Sequence, residues 1–206
     1  MLDIDAAAPV VAIVAQITPW KGQEIAIRAF DGVRKSFPGA KLLIVGKAKF
    51  KGQETRFDNV AYEQSLRQLV IDRGLQHAVL FTGEQHDVRP VMNLADVVLM
   101  PSWEEPFGRA AVEGMAAGKC VISTNVGGPP EFIVDRETGR LLDPTDVRAW
   151  SKAMIELLHD RDERWRIGGA ARASVERTFF GASTRTLITP VFEHALGIQA
   201  PIEMTA

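Results

Sequence analysis

A single cysteine, Cys120, in a chain of 206 residues excludes an internal disulfide framework and a cysteine-built metal cluster. It stands at the start of an apolar run, so a buried thiol is expected. An excess of charge of one sign is lacking as well. The 24 basic and 26 acidic side chains leave a net charge of −2, with no bulk basic field to attract nucleic acid or an anionic membrane surface. No apolar run approaches the roughly 18 residues a membrane-spanning helix needs. The first residues, Met1-Leu2-Asp3-Ile4-Asp5, are acidic where a secretory signal is basic. Internal repeats and low-complexity segments are missing, and so is a Gly-x-Gly-x-x-Gly dinucleotide fingerprint. At 46% hydrophobic and 24% charged residues, the expectation is a soluble, cytoplasmic globular protein with a real core.

Continuous apolar runs recur along the chain. Val10 to Ala15, Lys41 to Gly46, Val79 to Gly83, Val97 to Met100, Cys120 to Thr124 and Gly139 to Leu142 read as six strands buried on both faces. Between them lie segments of helical spacing: Gln23 to Lys35, Ala61 to Arg73 closed by Gly74, Val88 to Leu94, and Val147 to His159. Two more fit near Asp162 to Thr178 and Ser183 to Leu196, before a frayed tail. Met115, Trp150, Met154, Trp165, Phe179 and Phe192 are expected in the core. Strands alternating with helices imply an α/β fold, a doubly wound, Rossmann-like parallel sheet with right-handed crossovers. The expected division is a short arm over residues 1–9, the Rossmann-like domain over 10–178, and a terminal helix and tail over 179–206. Ligands of such sheets bind beyond the carboxyl ends of the strands, where the polar and glycine-rich loops of this chain fall.

The most informative stretch runs from Pro101 to Gly118, PSWEEPFGRAAVEGMAAG. An apolar strand feeds a short polar loop, Pro106 is placed to open a helix, and Gly118 to close it. The first-turn amides of Phe107, Gly108 and Arg109 would then be free to meet an oxygen-rich ligand, with Gly108 allowing close approach. Glu105 would lie just before the helix and Glu113 about two turns inside it, about 10 Å further along the axis. That separation is too great for a shared proton but suits two ends of one elongated, hydroxyl-bearing ligand. An amphipathic helix with solvated glutamates would also account for the pair.

The whole string Pro-Ser-x-x-Glu-Pro-Phe-Gly-x-x-x-x-Glu-x-Met-Ala-x-Gly resembles the Glu-x7-Glu motif of the GT-B retaining glycosyltransferases of group 1. The first loop, Gln16-Ile17-Thr18-Pro19-Trp20-Lys21-Gly22, resembles that family's Gly-Arg-x-x-x-x-Lys-Gly loop, whose Arg and Lys bind the diphosphate of a sugar nucleotide. Lys21 and Gly22 match. Gln16 stands at the arginine position, where an amide donates hydrogen bonds but brings no charge. A lone loop lysine is most often solvated surface, but the place of Lys21 beside Gly22 after a first strand favours the functional reading.

Gly83-Glu84-Gln85-His86 resembles the family's base-holding loop, which places Gln85 among the substrate-binding residues. His86 has no second ligand at metal spacing, and Arg89 faces either crevice or solvent. Gly127-Gly128-x-x-Glu131 and Thr138-Gly139-x-Leu141 resemble the family's closing signature and read as structural. The resemblance implies the C-terminal, donor-binding half of a GT-B fold, with Lys21 and Glu105 catalytic and Gln16, Gln85, Phe107, Gly108 and Glu113 binding the donor. It implies a nucleotide-sugar as donor substrate, no metal and no resident cofactor, and a partner in the N-terminal acceptor-binding domain, which has no counterpart here. Any peripheral membrane contact would come through that domain, and the isolated chain would be inactive in transfer. A non-catalytic nucleotide-binding module is the alternative, and a nicotinamide-dependent oxidoreductase is disfavoured by the missing glycine fingerprint.

Overall fold

The computed structural model describes residues 4–49 and 56–179. Six strands form one parallel sheet: β1 (Val10–Val14), β2 (Lys41–Val45), β3 (Val79–Gly83), β4 (Val97–Met100), β5 (Cys120–Thr124) and β6 (Arg140–Leu142), ordered β3-β2-β1-β4-β5-β6. The helices are α1 (Gln23–Ser36), α2 (Asn59–Asp72), α3 (Arg89–Leu94), α4 (Arg109–Ala116), α5 (Val147–His159) and α6 (Arg161–Phe179). Short 3-10 turns occupy Pro19–Lys21 and Pro129–Glu131.

The strands are apolar throughout because both faces of the sheet are covered. Successive side chains point to opposite faces. Val11 and Ile13 of β1, Leu42 and Ile44 of β2, and Val97 and Leu99 of β4 join a core with Phe30 of α1, Leu66 of α2 and Trp150 of α5. Val10, Ala12, Leu43, Val45, Val98 and Met100 join the opposite core, with Met92 of α3, Met115 of α4 and Val175 of α6. Trp150 is fully buried, and its indole Nε1 donates to the Asp143 carbonyl at 2.8 Å, so no polar atom of the ring is stranded. The doubly wound sheet inferred from the sequence is therefore present.

Some expectations are corrected. Trp165, expected in the core, is 65% exposed, and the Arg161 guanidinium stacks 4.3 Å above its ring. Its helix, α6, carries its apolar stripe through Ile167, Ala171 and Val175, and Trp165 lies off that stripe. Phe179, also expected in the core, is half-buried and packs against the second core within an aromatic triangle with Phe107 and Phe132, at centroid distances of 5.7 and 5.8 Å. The terminal helix expected over Ser183 to Leu196, and Phe192 with it, lie outside the described residues.

Helix α4 does not start at Pro106. Its N-cap is Gly108, at φ 103° and ψ 45°, and the first helical residue is Arg109. A residue in the left-handed region cannot continue a right-handed helix backwards, and the chain before it is tied elsewhere: Gly128 N–H donates to the Glu105 carbonyl at 2.9 Å. The other end is as expected. Gly118 takes φ 70°, its N–H reaches the Met115 carbonyl at 2.9 Å, and Lys119 N–H reaches that of Gly114 at 3.0 Å, a Schellman closure.

Candidate active site

The strand order reverses direction between β1 and β4: the chain works outward from β1 to β3, then returns to lie beside β1 as β4. Loops leaving the carboxyl ends of these two neighbours diverge and leave a crevice. There a cavity of about 440 Å³ is lined by Gln16, Trp20 and Lys21 from the β1 loop and by Ser102, Glu105, Phe107, Gly108 and Arg109 from the β4 loop and the start of α4.

The β1 loop is held in a defined shape. Pro19 opens the 3-10 turn, Lys21 N–H closes on the Thr18 carbonyl at 3.0 Å, and Gly22 N–H on that of Pro19 at 3.0 Å. Gly22 sits at φ 71°, and a Cβ there would come within 2.1 Å of the Pro101 carbonyl oxygen. Glycine is thus required both for the backbone angle and for the contact between the two loops. Trp103 adds two bonds across the same gap: its N–H donates to the Trp20 carbonyl at 3.0 Å and its indole Nε1 to the Pro19 carbonyl at 2.6 Å. At the base of the loop, the fully buried Gln23 side chain donates to the Gln16 carbonyl at 2.8 Å.

This shape delivers Lys21 to Glu105. Lys21 Nζ lies 2.5 Å from Glu105 Oε2, and Ser102 Oγ donates to the same oxygen at 3.0 Å. Glu105 is 7% exposed and Lys21 17% exposed, so the pair is largely withdrawn from water and its attraction is little screened. The Lys21 ammonium also stands 4.0 Å from the centroid of the Trp20 ring. Lys21 is therefore not a solvated surface lysine.

The remaining residues of the sequence reading divide. Gln16, Phe107 and Gly108 line the cavity. Glycine at 108 is demanded by the positive φ and by Met100, whose Cε would lie 2.9 Å from a Cβ there. Glu113 does not line the cavity. It is exposed, about one turn inside the shortened α4, on the face it shares with Arg109 and Ala110 at positions i−4 and i−3. Gln85 is exposed, lies outside the cavity lining, and turns back to the Thr82 carbonyl at 3.1 Å. His86 is exposed, and Arg89 chelates Asp87 with two bonds of 2.8 Å at the surface. Glu84, held by Lys47 and Lys49 at 2.6 and 2.5 Å, has its carboxyl pulled down to about 2 by those hydrogen bonds.

Sequence reasoning gave no role to Ser102, Trp103, Gln23 or the side chain of Arg109, of which only the backbone amide was considered. Ser102 was legible as part of the motif string. Trp103 carried no signal, because its partners lie 84 residues away and are backbone carbonyls. Among the described residues no group of three or more His, Cys, Asp and Glu side chains is arranged to hold a metal, and no helix is long and apolar enough to cross a membrane.

Comparison with known proteins matches residues 2–174 to the family model described as glycosyl transferases group 1. A D-inositol 3-phosphate glycosyltransferase of Corynebacterium efficiens is 29% identical over 190 residues, which are 91% of this chain and 43% of that protein. A GDP-mannose-dependent alpha-(1-6)-phosphatidylinositol monomannoside mannosyltransferase of Mycobacterium tuberculosis is 34% identical over 173 residues, 80% of this chain and 42% of that protein. The crystal structure of Anabaena Alr3699/HepE in complex with UDP superimposes with a TM-score of 0.83 at 27% identity, over 92% of this chain and 50% of that one. The chain thus spans less than half the length of these two sequence relatives.

Proposed function

Since the chain belongs to the group 1 glycosyltransferases, we propose that it is the donor-binding half of a GT-B enzyme that transfers a sugar from a nucleotide-sugar to an acceptor with retention of configuration. The observation that carries this reading is the Lys21–Glu105 pair, set at 2.5 Å in a cavity at the reversal of the strand order. The chemistry is that of a departing diphosphate. Negative charge grows on the leaving oxygen as the glycosidic bond breaks, and a fixed cation beside it lowers the barrier because it needs no reorganisation. Lys21, whose turn is locked by Gly22 and Trp103, supplies that cation. Glu105, oriented by Ser102, accepts hydrogen bonds from sugar hydroxyls, and Glu113 accepts those of the ribose. Gln16 donates to the phosphate oxygens without charge, and Phe107 with Gly108 closes the sugar side. Gln85 contributes to the base side once it leaves the Thr82 carbonyl. No metal and no resident cofactor are called upon. The acceptor binds to polypeptide beyond these 206 residues, a reading supported by the 43% and 50% coverage of the relatives. Holding the nucleotide without transferring sugar is accordingly the activity proposed for the chain by itself.

Ligand-induced melting with UDP, GDP, ADP and NAD side by side tests the reading. One nucleoside diphosphate should raise Tm by mass action, and its sugar conjugate should do the same. Stabilisation by NAD alone would return the chain to the oxidoreductase reading. The relatives named above point to different nucleotides, GDP in one and UDP in another, and the panel selects between them.

A further inference from the structure

Three charged residues line the cavity: Lys21, Glu105 and Arg109. Lys21 and Glu105 are in contact at 2.5 Å, so to a ligand several ångströms away they act as a dipole with no net charge. Arg109 is different. It is the first residue of α4, is exposed, and its guanidinium makes neither a hydrogen bond nor an ion pair among the described residues. It therefore carries the uncompensated charge of the cavity.

A diphosphate brings more negative charge than Lys21 can meet while Glu105 holds it. On the β1 side of the cavity the residue available to help is Gln16, which is uncharged. We propose that Arg109 is the second cation of the diphosphate subsite, supplying from the α4 side the charge that Gln16 does not bring. This assignment rests on the reading of the cavity as a nucleotide-sugar donor site. A guanidinium suits the task because its planar fork makes two parallel bonds to phosphate oxygens and stays charged at any relevant pH. Its freedom from any acidic partner leaves that fork available, whereas Arg89 and Arg56 are committed to Asp87 and Glu104. A first-turn position adds the favourable end of the helix dipole to the same anion.

The test is calorimetric titration of the chain with UDP and GDP, and with uridine and guanosine as controls, at low and high salt. Arg109→Gln should lower affinity for the preferred diphosphate roughly tenfold at low salt, by less at high salt, and leave the nucleoside unaffected. Arg109→Lys should fall between the two, because it keeps the charge and loses the fork. In the double variant Arg109→Gln/Gln16→Arg most of the loss should be recovered, since the charge returns from the opposite wall. Lys21→Ala separates the two levels of the argument. If Lys21→Ala loses diphosphate affinity and Arg109→Gln does not, Arg109 lies outside the subsite and the proposal falls while the donor site stands. If neither substitution changes binding, or if the unaltered chain takes up neither diphosphate, the donor-site reading falls and the proposal with it.

Discussion

Lys21 Nζ lies 2.5 Å from Glu105 Oε2 although the two residues are 84 positions apart in the chain. The parallel pairing of β1 and β4 brings their loops together, and glycine at position 22 lets those loops touch. The ammonium that the proposed function assigns to a diphosphate is thus held by a carboxylate. Glu105→Gln should release it. Diphosphate affinity of the chain is expected to rise by about 1 kcal/mol, because a negative charge is removed from the cavity while the amide still bonds Lys21 and Ser102. Calorimetry on the two forms measures this, and a fall in affinity would mean that Glu105 matters more for aiming Lys21 than for neutralising it.

Glu113 tests the outer end of the site. It is exposed on the same face of α4 as Arg109 and makes no ion pair among the described residues, so its removal leaves no buried partner behind. Glu113→Ala is expected to weaken nucleotide binding by about 1–3 kcal/mol with little change in Tm, the loss typical of a charged hydrogen-bond partner. The base and ribose alone should register it, so the nucleoside is the decisive titrant. Unchanged nucleoside affinity would remove Glu113 from the site.

Gly22→Ala addresses the scaffold. Placing a non-glycine residue at φ 71° costs about 1–2 kcal/mol, and the new Cβ would approach the Pro101 carbonyl oxygen to 2.1 Å, which forces the loops apart. For a chain of this size Tm should fall by roughly 2–4 °C per kcal/mol, and diphosphate affinity should fall with it because Lys21 moves. A drop in Tm with full affinity would show that the turn tolerates the displacement.

Cys120 provides a check on the interior. It is 1% exposed, and burial pushes its thiol up to about 12. At pH 8 the folded chain should not react with a thiol reagent such as a mixed aromatic disulfide, and one thiol per chain should appear on denaturation. The sign of the pH dependence follows. An unfolded cysteine ionises above about pH 8.5 while the buried one stays protonated, so its contribution to stability is complete below that pH and declines as pH rises toward the folded value. Denaturant melts at pH 7 and pH 10 compared with Cys120→Ala isolate this contribution.

What the sequence made legible has a physical pattern. Strands buried on both faces are written as unbroken apolar runs, and all six were readable for that reason. The convergence of the Lys21 and Glu105 loops on one crevice was readable because each loop follows such a run at the carboxyl end of a strand. The start of α4 was misread because a proline that fits the first turn of a helix fits a bend equally well, and the deciding facts are distant: the Gly128 N–H on the Glu105 carbonyl, and the Met100 side chain against Gly108. Trp165 was misplaced because an apolar residue in a helix says nothing of its face until the stripe Ile167, Ala171, Val175 is known to be the packed one. Arg109 was read for its backbone amide alone, because the side chain of a lone arginine inside a motif string has meaning only once its neighbours are known to neutralise one another.

Trp103 joins the two loops by side chain and backbone, and its substitution separates those contributions. The indole Nε1 donates to the Pro19 carbonyl at 2.6 Å, the main-chain N–H donates to the Trp20 carbonyl at 3.0 Å, and the ring packs 6.3 Å from that of Phe57. Trp103→Phe removes the first of these bonds and keeps an aromatic ring on Phe57. The ring is 42% exposed, so water can reach the Pro19 carbonyl and the loss in global stability should be about 0.5–1.5 kcal/mol. The functional effect should be larger in proportion, because the Pro19–Lys21 turn loses one of the two bonds that Trp103 makes to it and the Lys21 ammonium is aimed less well at the proposed diphosphate position. Titration with the preferred nucleoside diphosphate and with its nucleoside distinguishes the cases. Selective loss for the diphosphate, together with a near-wild-type melt, identifies Trp103 as a residue that positions Lys21. Equal loss for both ligands would assign it to the general integrity of the crevice, and no loss for either would mean that Gly22 and the main-chain bond to Trp20 suffice to hold the turn.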